Sequence, residues 1–377
     1  MAEFDKGKGY SKIDLVAHGF HIILYGRMYT HYQTVINEID TFVENDESCV
    51  RSLKDDVIIP ASGETTIDIA RASVVPYQGI ILGGDINIIK TNKKILNPIF
   101  LALTLSNGKQ QKELSKKAQG KSVVHLYNSE LKKVIVDFPK IEEQIAIGKL
   151  FEELENLISL QKRKLEKLKE LKRAYLQQMF PFKSTPQIRF QNFSQTWKLG
   201  TLGNYLLVSE KIKATISDSN DLMTLKLNLG GLELGTNRET LDFGSTVYYR
   251  RKSGQFIYGK QNFFNGSMAI IPAELDGKAT SGDVPSLDIY DINPDYLYRY
   301  VSRKSYWSQK KSSALGTGSK RIHESTLLGF EIDVPEIEEQ SQIASLFENL
   351  DFVINFHHQK LNSLSKLKQS YLQKMFI

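Results

Sequence analysis

The chain has 377 residues, 41% of them hydrophobic, which is enough to build two or three cored domains. Its 49 Lys and Arg against 43 Asp and Glu leave a formal charge of +6, a mild basic excess that permits a nucleic-acid partner without requiring one. Cys49 is the only cysteine, which excludes a disulfide framework and a cysteine-based zinc site, and no run of ~18 apolar residues is present to cross a membrane, so a soluble, cytoplasmic protein is expected.

Residues 1–137 are predicted to form a mixed α/β module. Short β-rich runs at Phe20–Tyr25, Val57–Ile59 and Ile80–Leu82 are separated by Gly, Asn, Asp and Ser. Tyr25, Arg27, Tyr29 and His31 interleave aromatics with cations, a pattern that serves base stacking and phosphate contact as well as it serves an ordinary core strand. Asn97-Pro98-Ile99-Phe100 is close to the base-holding signature of amino-methyltransferases but lacks its second proline and any accompanying cofactor loop, so it reads as a helix start. Residues 106–121 carry Lys109, Lys112, Lys116, Lys117 and Lys121 against Glu113 alone, and end in Gln119-Gly120-Lys121-Ser122. Small residues in such a loop let backbone amides and hydroxyls approach a phosphate, which makes Lys116, Lys117, Lys121 and Ser122 candidate DNA contacts.

Residues 138–182 are predicted as one long helix. Pro139 opens it, Ile141-Glu142-Glu143-Gln144 places acids at its positive end, and Ile147, Leu150, Leu154, Leu157, Ile158, Leu165, Leu168, Leu171 and Tyr175 recur at threes and fours. Some 40 helical residues reach about 60 Å, long enough to call for a helical partner of similar length.

Residues 183–333 read as a second mixed α/β module, with strands at Thr246–Tyr249 and Met268–Ile271. Tyr248-Tyr249-Arg250-Arg251-Lys252 matches the aromatic and cationic texture of the first module, which nominates Arg250 and Arg251. Residues 302–321 hold Arg303, Lys304, Lys310, Lys311, Lys320 and Arg321 with no acid, and close on a Gly- and Ser-rich loop. Lys310, Lys311, Thr317, Ser319, Lys320 and Arg321 join the candidate DNA contacts. Residues 334–377 form the second long helix.

The two halves are one text written twice. Residues 139–180 align without a gap onto 335–376 at a constant offset of 196, and half of the 42 positions are identical. The offset carries upstream through Asn97-Pro98 and Asn293-Pro294, then similarity vanishes in the module bodies. Helices held alike beside diverging modules imply one job done on two different targets. The helices are each other's obvious partners, with a polar interruption where Gln161 and Lys164 match His357 and Lys360.

No Walker loop and no nucleophile, base and orienter set can be assembled, and His18 and His21 lack companions for a metal site. The alternatives, a self-contained DNA methyltransferase or nuclease and a coiled-coil scaffold without DNA binding, lack respectively a catalytic motif and a reason for the paired basic stretches.

Pro139-x-Ile-Glu-Glu-Gln and Pro335-x-Ile-Glu-Glu-Gln, the Leu-Gln-x-Met-Phe endings at Leu176 and Leu372, Pro186-Gln187-Ile188-Arg189-Phe190 with Trp197, and Asp56–Pro60 with Ser62-Gly63-Glu64-Thr65 together resemble the DNA-specificity subunit of type I restriction-modification enzymes. The resemblance implies an α+β fold in which two target recognition domains alternate with two long helices that pair as an antiparallel coiled coil, related by a pseudo-two-fold. It implies that each recognition domain binds half of a split double-stranded DNA site and that the coiled coil sets the gap. Two methyltransferase subunits are then expected to dock beside the helices, with restriction and translocase subunits joining the complex. S-adenosylmethionine, ATP and magnesium belong to those partners, and no catalytic residue, metal or cofactor is expected in this chain. One departure stands out. Pro186–Leu206 has no counterpart in the first half, because Phe4–Lys12 already reads as domain interior, so an opening segment of the first module is expected to be lacking.

Overall fold

A computed structural model describes every residue except 1, 46, 48, 121–122, 181–185, 236–245, 314–320 and 377. The chain divides into two units. One comprises Met1–Lys164 with His357–Ile377, the other Leu165–Phe356, so each unit contains one α/β module and a stretch of both long helices.

In the first unit a four-stranded antiparallel sheet runs in the order Ala2–Lys6, Ile86–Thr91, Asp56–Pro60, Ser73–Val75. Its central strands are covered on both faces. The pleat sends Val57, Ile59 and Ile89 to one apolar cluster and Ile58, Ile86 and Ile88 to another, as period-two alternation requires. A second, five-stranded sheet orders Leu15–Val16, Phe42–Val43, Phe20–Ile23, Ile81–Leu82 and Val50–Arg51. Strands expected near Phe20, Val57 and Ile80 are all present.

The second unit has its own antiparallel sheet, in the order Leu206–Val208, Ser286–Ile289, Phe256–Tyr258, Met268–Ile270. Short two-stranded ribbons join Tyr248–Arg250 to Ala279–Ser281 and Lys198–Thr201 to Glu331–Val334.

Both long helices form as the periodicity dictates, at Ile141–Gln178 and Ile337–Met375. Each module is locked to its helix by the same device. Asn97 caps the helix Pro98–Leu105 by accepting from the Phe100 amide, and Asn293 caps Pro294–Val301 by accepting from Asp295 and Tyr296. Gln144 then accepts from the Asn97 amide at 2.9 Å and donates to the Pro139 carbonyl at 2.8 Å. Gln340 repeats both bonds, to Asn293 and Pro335, at 2.8 Å each. Both Asn-Pro pairs are therefore helix starts.

In the first unit the helices run antiparallel. Glu155 accepts from Lys368 at 2.5 Å, Gln161 meets His357 at 2.9 Å, and Phe376 packs on Phe100 and Phe151. The second unit repeats the arrangement on its own residues. Lys172 pairs with Asp351, and Phe180 packs on Tyr296 and Phe347. Each of these pairings is one from the first unit displaced by the 196-residue offset. Gln161 and His357 are themselves repeat equivalents, and their bond lies where the sequence placed a polar break in the seam.

Candidate nucleic-acid interface

The helix Gly108–Lys117 shows how the first module builds a cationic face. Leu114 and Gln110 are buried, which turns Lys109, Lys112 and Lys116, at spacings of three and four, outward as one exposed stripe. Lys117 lies off that stripe and ion-pairs with Glu113 at 3.7 Å. Beyond the helix, Gln119 and His125 exchange backbone bonds and pinch a loop at Gly120, whose left-handed φ of 135° leaves no room for a Cβ, since Val123 O would lie 2.0 Å from it. Lys121 and Ser122 fall outside the described residues. Val124–His125 pairs with Ser62–Gly63, His125 Nδ1 lies 3.0 Å from Ser62 Oγ, and its ring stacks on the exposed Tyr127. The sequence reading passed over His125 and Tyr127, because nothing in the one-dimensional pattern brings them beside residue 62.

Tyr25, Arg27, Tyr29 and His31 come together around the short helix Arg27–Thr30, with only His31 fully outside. Arg27, nominated as a DNA contact, is engaged within the module. Its guanidinium donates to Asp40 Oδ1 and to the Glu38 carbonyl, both at 2.5 Å, and so staples the following loop. Tyr25 packs against the core cluster around Met28, and the Tyr29 hydroxyl is pushed up in pKa by burial and by neighbouring Tyr25, Glu64 and Asp68. Two carboxylates nearby make this corner a poor seat for phosphate.

In the second module Arg250 is exposed on its strand and donates to the Gly277 carbonyl. Arg251, also nominated, is engaged within the module. It is 3% exposed, donates to Thr280 Oγ1 at 2.8 Å and to the Val284 carbonyl at 3.0 Å, and burial pulls its pKa to about 10. A guanidinium with that many internal acceptors is a rivet for the loop. Arg303 is likewise internal, stacked 4.3 Å from the Tyr300 ring and 4.8 Å from Phe180. Lys310 half-buries its ammonium over Tyr306 and Phe330, Lys311 is exposed, and Arg321 ion-pairs with Asp283 at 2.8 Å. Thr317, Ser319 and Lys320 lie outside the described residues.

Among the described residues no group of three or more His, Cys, Asp or Glu could hold a metal ion, and no helix is long and apolar enough to cross a membrane. The arrangement can neutralise phosphates and offer rings and amides to bases.

Comparison with known proteins adds a family. The family described as Type I restriction modification DNA specificity domain matches residues 10–170 and 237–366. The putative type I restriction enzyme MjaX specificity subunit of Methanocaldococcus jannaschii is 21% identical over 322 residues, covering 79% of this chain and 73% of the relative. The type I restriction enzyme MjaVIII specificity subunit of the same organism is 22% identical over 318 residues, covering 78% and 72%. In fold, the chain is similar to a crystal structure of the type I restriction-modification system S subunit from M. genitalium, with a TM-score of 0.63 at 14% identity over 100% of this chain and 94% of that one.

Proposed function

This chain belongs to the type I restriction modification DNA specificity family as a non-catalytic specificity subunit with two recognition domains, and from that premise we propose that it reads a bipartite, asymmetric target in double-stranded DNA. Residues 1–137 and 183–333 are the two recognition domains, each binding one half-site. Residues 138–182 and 334–377 pair as an antiparallel coiled coil that fixes the gap between the halves. The carrying observation is the duplicated fastening: the Gln–Asn lock, the Glu155–Lys368 and Asp351–Lys172 pairs and the Phe376 and Phe180 packing recur, while the cationic surfaces of the two modules do not. A fixed frame presenting two different faces suits a target made of two different half-sites.

DNA contact is assigned to the Lys109, Lys112 and Lys116 stripe together with Lys121 and Ser122, to His31, and in the second module to Arg250, Lys310, Lys311, Thr317, Ser319, Lys320 and Arg321. These groups supply the salt-sensitive phosphate term, and base readout falls to the loops beside them. Two methyltransferase subunits dock on the helices. Leu160 is 57% exposed and its repeat equivalent Phe356 is 54% exposed, apolar surface that a partner would cover. Restriction and translocase subunits complete the assembly in the cytoplasm, with S-adenosylmethionine, ATP and magnesium held by those partners. Co-expression with the methyltransferase subunit and genome-wide mapping of methylated adenine by single-molecule sequencing tests the reading. A split motif with a constant gap is expected; methylation confined to a continuous palindrome would overturn it.

A further inference from the structure

Each unit leaves a cavity where its module meets its long helices, at repeat-equivalent places, and the two linings differ. In the first unit the cavity is about 490 Å³, with Leu103, Ser106, Asn107, Gln111, Lys368 and Leu372 in its walls. In the second it is about 910 Å³, and their equivalents there are Arg299, Ser302, Arg303, Trp307, Lys172 and Leu176. The serine, lysine and leucine recur and belong to the shared frame. Two arginines and a tryptophan take the places of leucine, asparagine and glutamine, and Lys304 and Lys311, also in the wall, stand where the first half has Gly108 and Ser115. The first unit builds the same junction without them, so the frame does not demand these groups.

The second cavity has a cationic wall and an apolar one. Asp351 is the one carboxylate among its lining residues, and it is already shared between Lys172 and Arg299, the latter at 2.6 Å. Arg303 spends its donors on the carbonyls of Tyr300 and Phe180. Lys304 and Lys311 are exposed and have no ion-pair partner among the described residues, and Arg299 Nε is buried without a hydrogen-bond partner among them. Opposite in character are Phe264 and Trp307, with ring centroids 6.5 Å apart, and Leu229. Leu229 and Asn228 form the tip of a hairpin, both in the left-handed region at φ of 58° and 56°, and are held there by their amides donating to Gly266 and Asn265. A leucine in that conformation is strained, and the strain keeps an apolar side chain at the cavity.

We propose that this cavity binds a single nucleotide unit, with its phosphate on Lys304 and Lys311 and its base against Phe264, Trp307 and Leu229. Unpaired cations suit a phosphate, flat apolar groups suit a base, and the volume suits a small ligand. The same chemistry comes from a free nucleotide or from an unpaired nucleotide of a DNA strand. A duplex, whose bases are stacked inside, cannot offer it. The site is separate from the duplex contacts assigned above except at Lys311, so its test is built on Lys304.

The full chain is titrated with the fluorescent mononucleotide mant-dATP and, separately, with fluorescein-labelled single-stranded hexathymidylate. Saturable binding of at least one probe below millimolar concentration is expected, weakened about tenfold or more by Lys304→Glu. Binding of mant-dATP identifies a free nucleotide as a ligand, and binding of the strand alone identifies an unpaired nucleotide of DNA. Absence of saturable binding of either at millimolar concentration would overturn the proposal, as would an affinity that ignores Lys304→Glu. Pyrophosphate that competes as well as the nucleotide would show that the rings contribute nothing, and an unlabelled duplex that competes as well would place the probes on the outer surface; either result overturns it too. Lys304 is exposed at the first position of the helix Lys304–Ser308, where an acid is favoured, so the variant keeps its fold and a thermal melt verifies this.

Discussion

Two regions of each repeat, the fastening of module to helix and the face of the module itself, follow opposite rules. At the fastening, Glu155 with Lys368 and Asp351 with Lys172 are the same bond made twice, and Phe376 and Phe180 fill equivalent pockets. On the faces nothing corresponds so closely: an open lysine stripe stands in the first module, whereas in the second Lys310 is half-buried over rings and Arg321 is ion-paired. Packing tolerates little change, because a core of native density responds to a single methylene, whereas a solvated cation can move without disturbing the fold. The frame is thus constrained by packing and the faces are free to differ.

The strongest way to break the comparison is to empty the equivalent pockets. Phe376→Ala and Phe180→Ala should each cost about 3–5 kcal/mol in its own unit, by the transfer energy forfeited and the cavity left behind. Denaturant titration with a probe in each unit measures this, and a marked inequality between the two would show that the frames are not energetically alike. Next in size is Glu339→Ala. It strands the Arg189 guanidinium and the Trp197 indole N–H, which donate to this buried carboxylate at 2.7 and 3.2 Å, and should cost about 3 kcal/mol, whereas Glu143→Ala, at the exposed repeat equivalent, should stay within about 0.5 kcal/mol. Equal effects would mean that the Arg189 clamp contributes nothing.

The frame was legible in the sequence and most of the face was not. Helix periodicity, the Asn-Pro caps and the offset of 196 placed both long helices and their partnership, because packing writes itself as regular spacing. The internal engagement of Arg27 and Arg251 was hidden for one reason: local composition records that a residue is a cation, not whether a carbonyl from 11 or 33 residues away will claim it. His125 was missed for the converse reason, since Ser62 reaches it only through the pairing of two-residue strands. Glu143 and Glu339 read identically, and only the structure separates the bare acid from the clamped one.

Where the two helices meet at equivalent positions the repeat is not identical, with Gln161 facing His357. Burial lowers the His357 pKa, and Lys164 and Lys360 add to the effect, so the folded chain prefers the neutral ring. The unfolded chain therefore binds more protons as pH falls, and stability should be full above the ordinary histidine range and decline as pH drops through it. His357→Gln, which makes the pair symmetric, should flatten that decline between about pH 7 and 5, as followed by thermal melts.

The smallest expected effect sharpens the other side of the comparison. Lys112→Ala with Lys116→Ala removes two members of the exposed stripe without touching Leu114 beneath it, so melting should be unchanged while DNA affinity falls for any sequence. Each phosphate left without its cation lowers the salt dependence of binding by about 0.9 in log–log slope, so the double variant should shed up to about 1.8. Lys167→Ala with Lys169→Ala, the same charge change on the first long helix, should leave that slope alone. An equal change at both places would mean that net charge and not the face of the module governs DNA binding, and the division between frame and face would fail at the point where it bears on function.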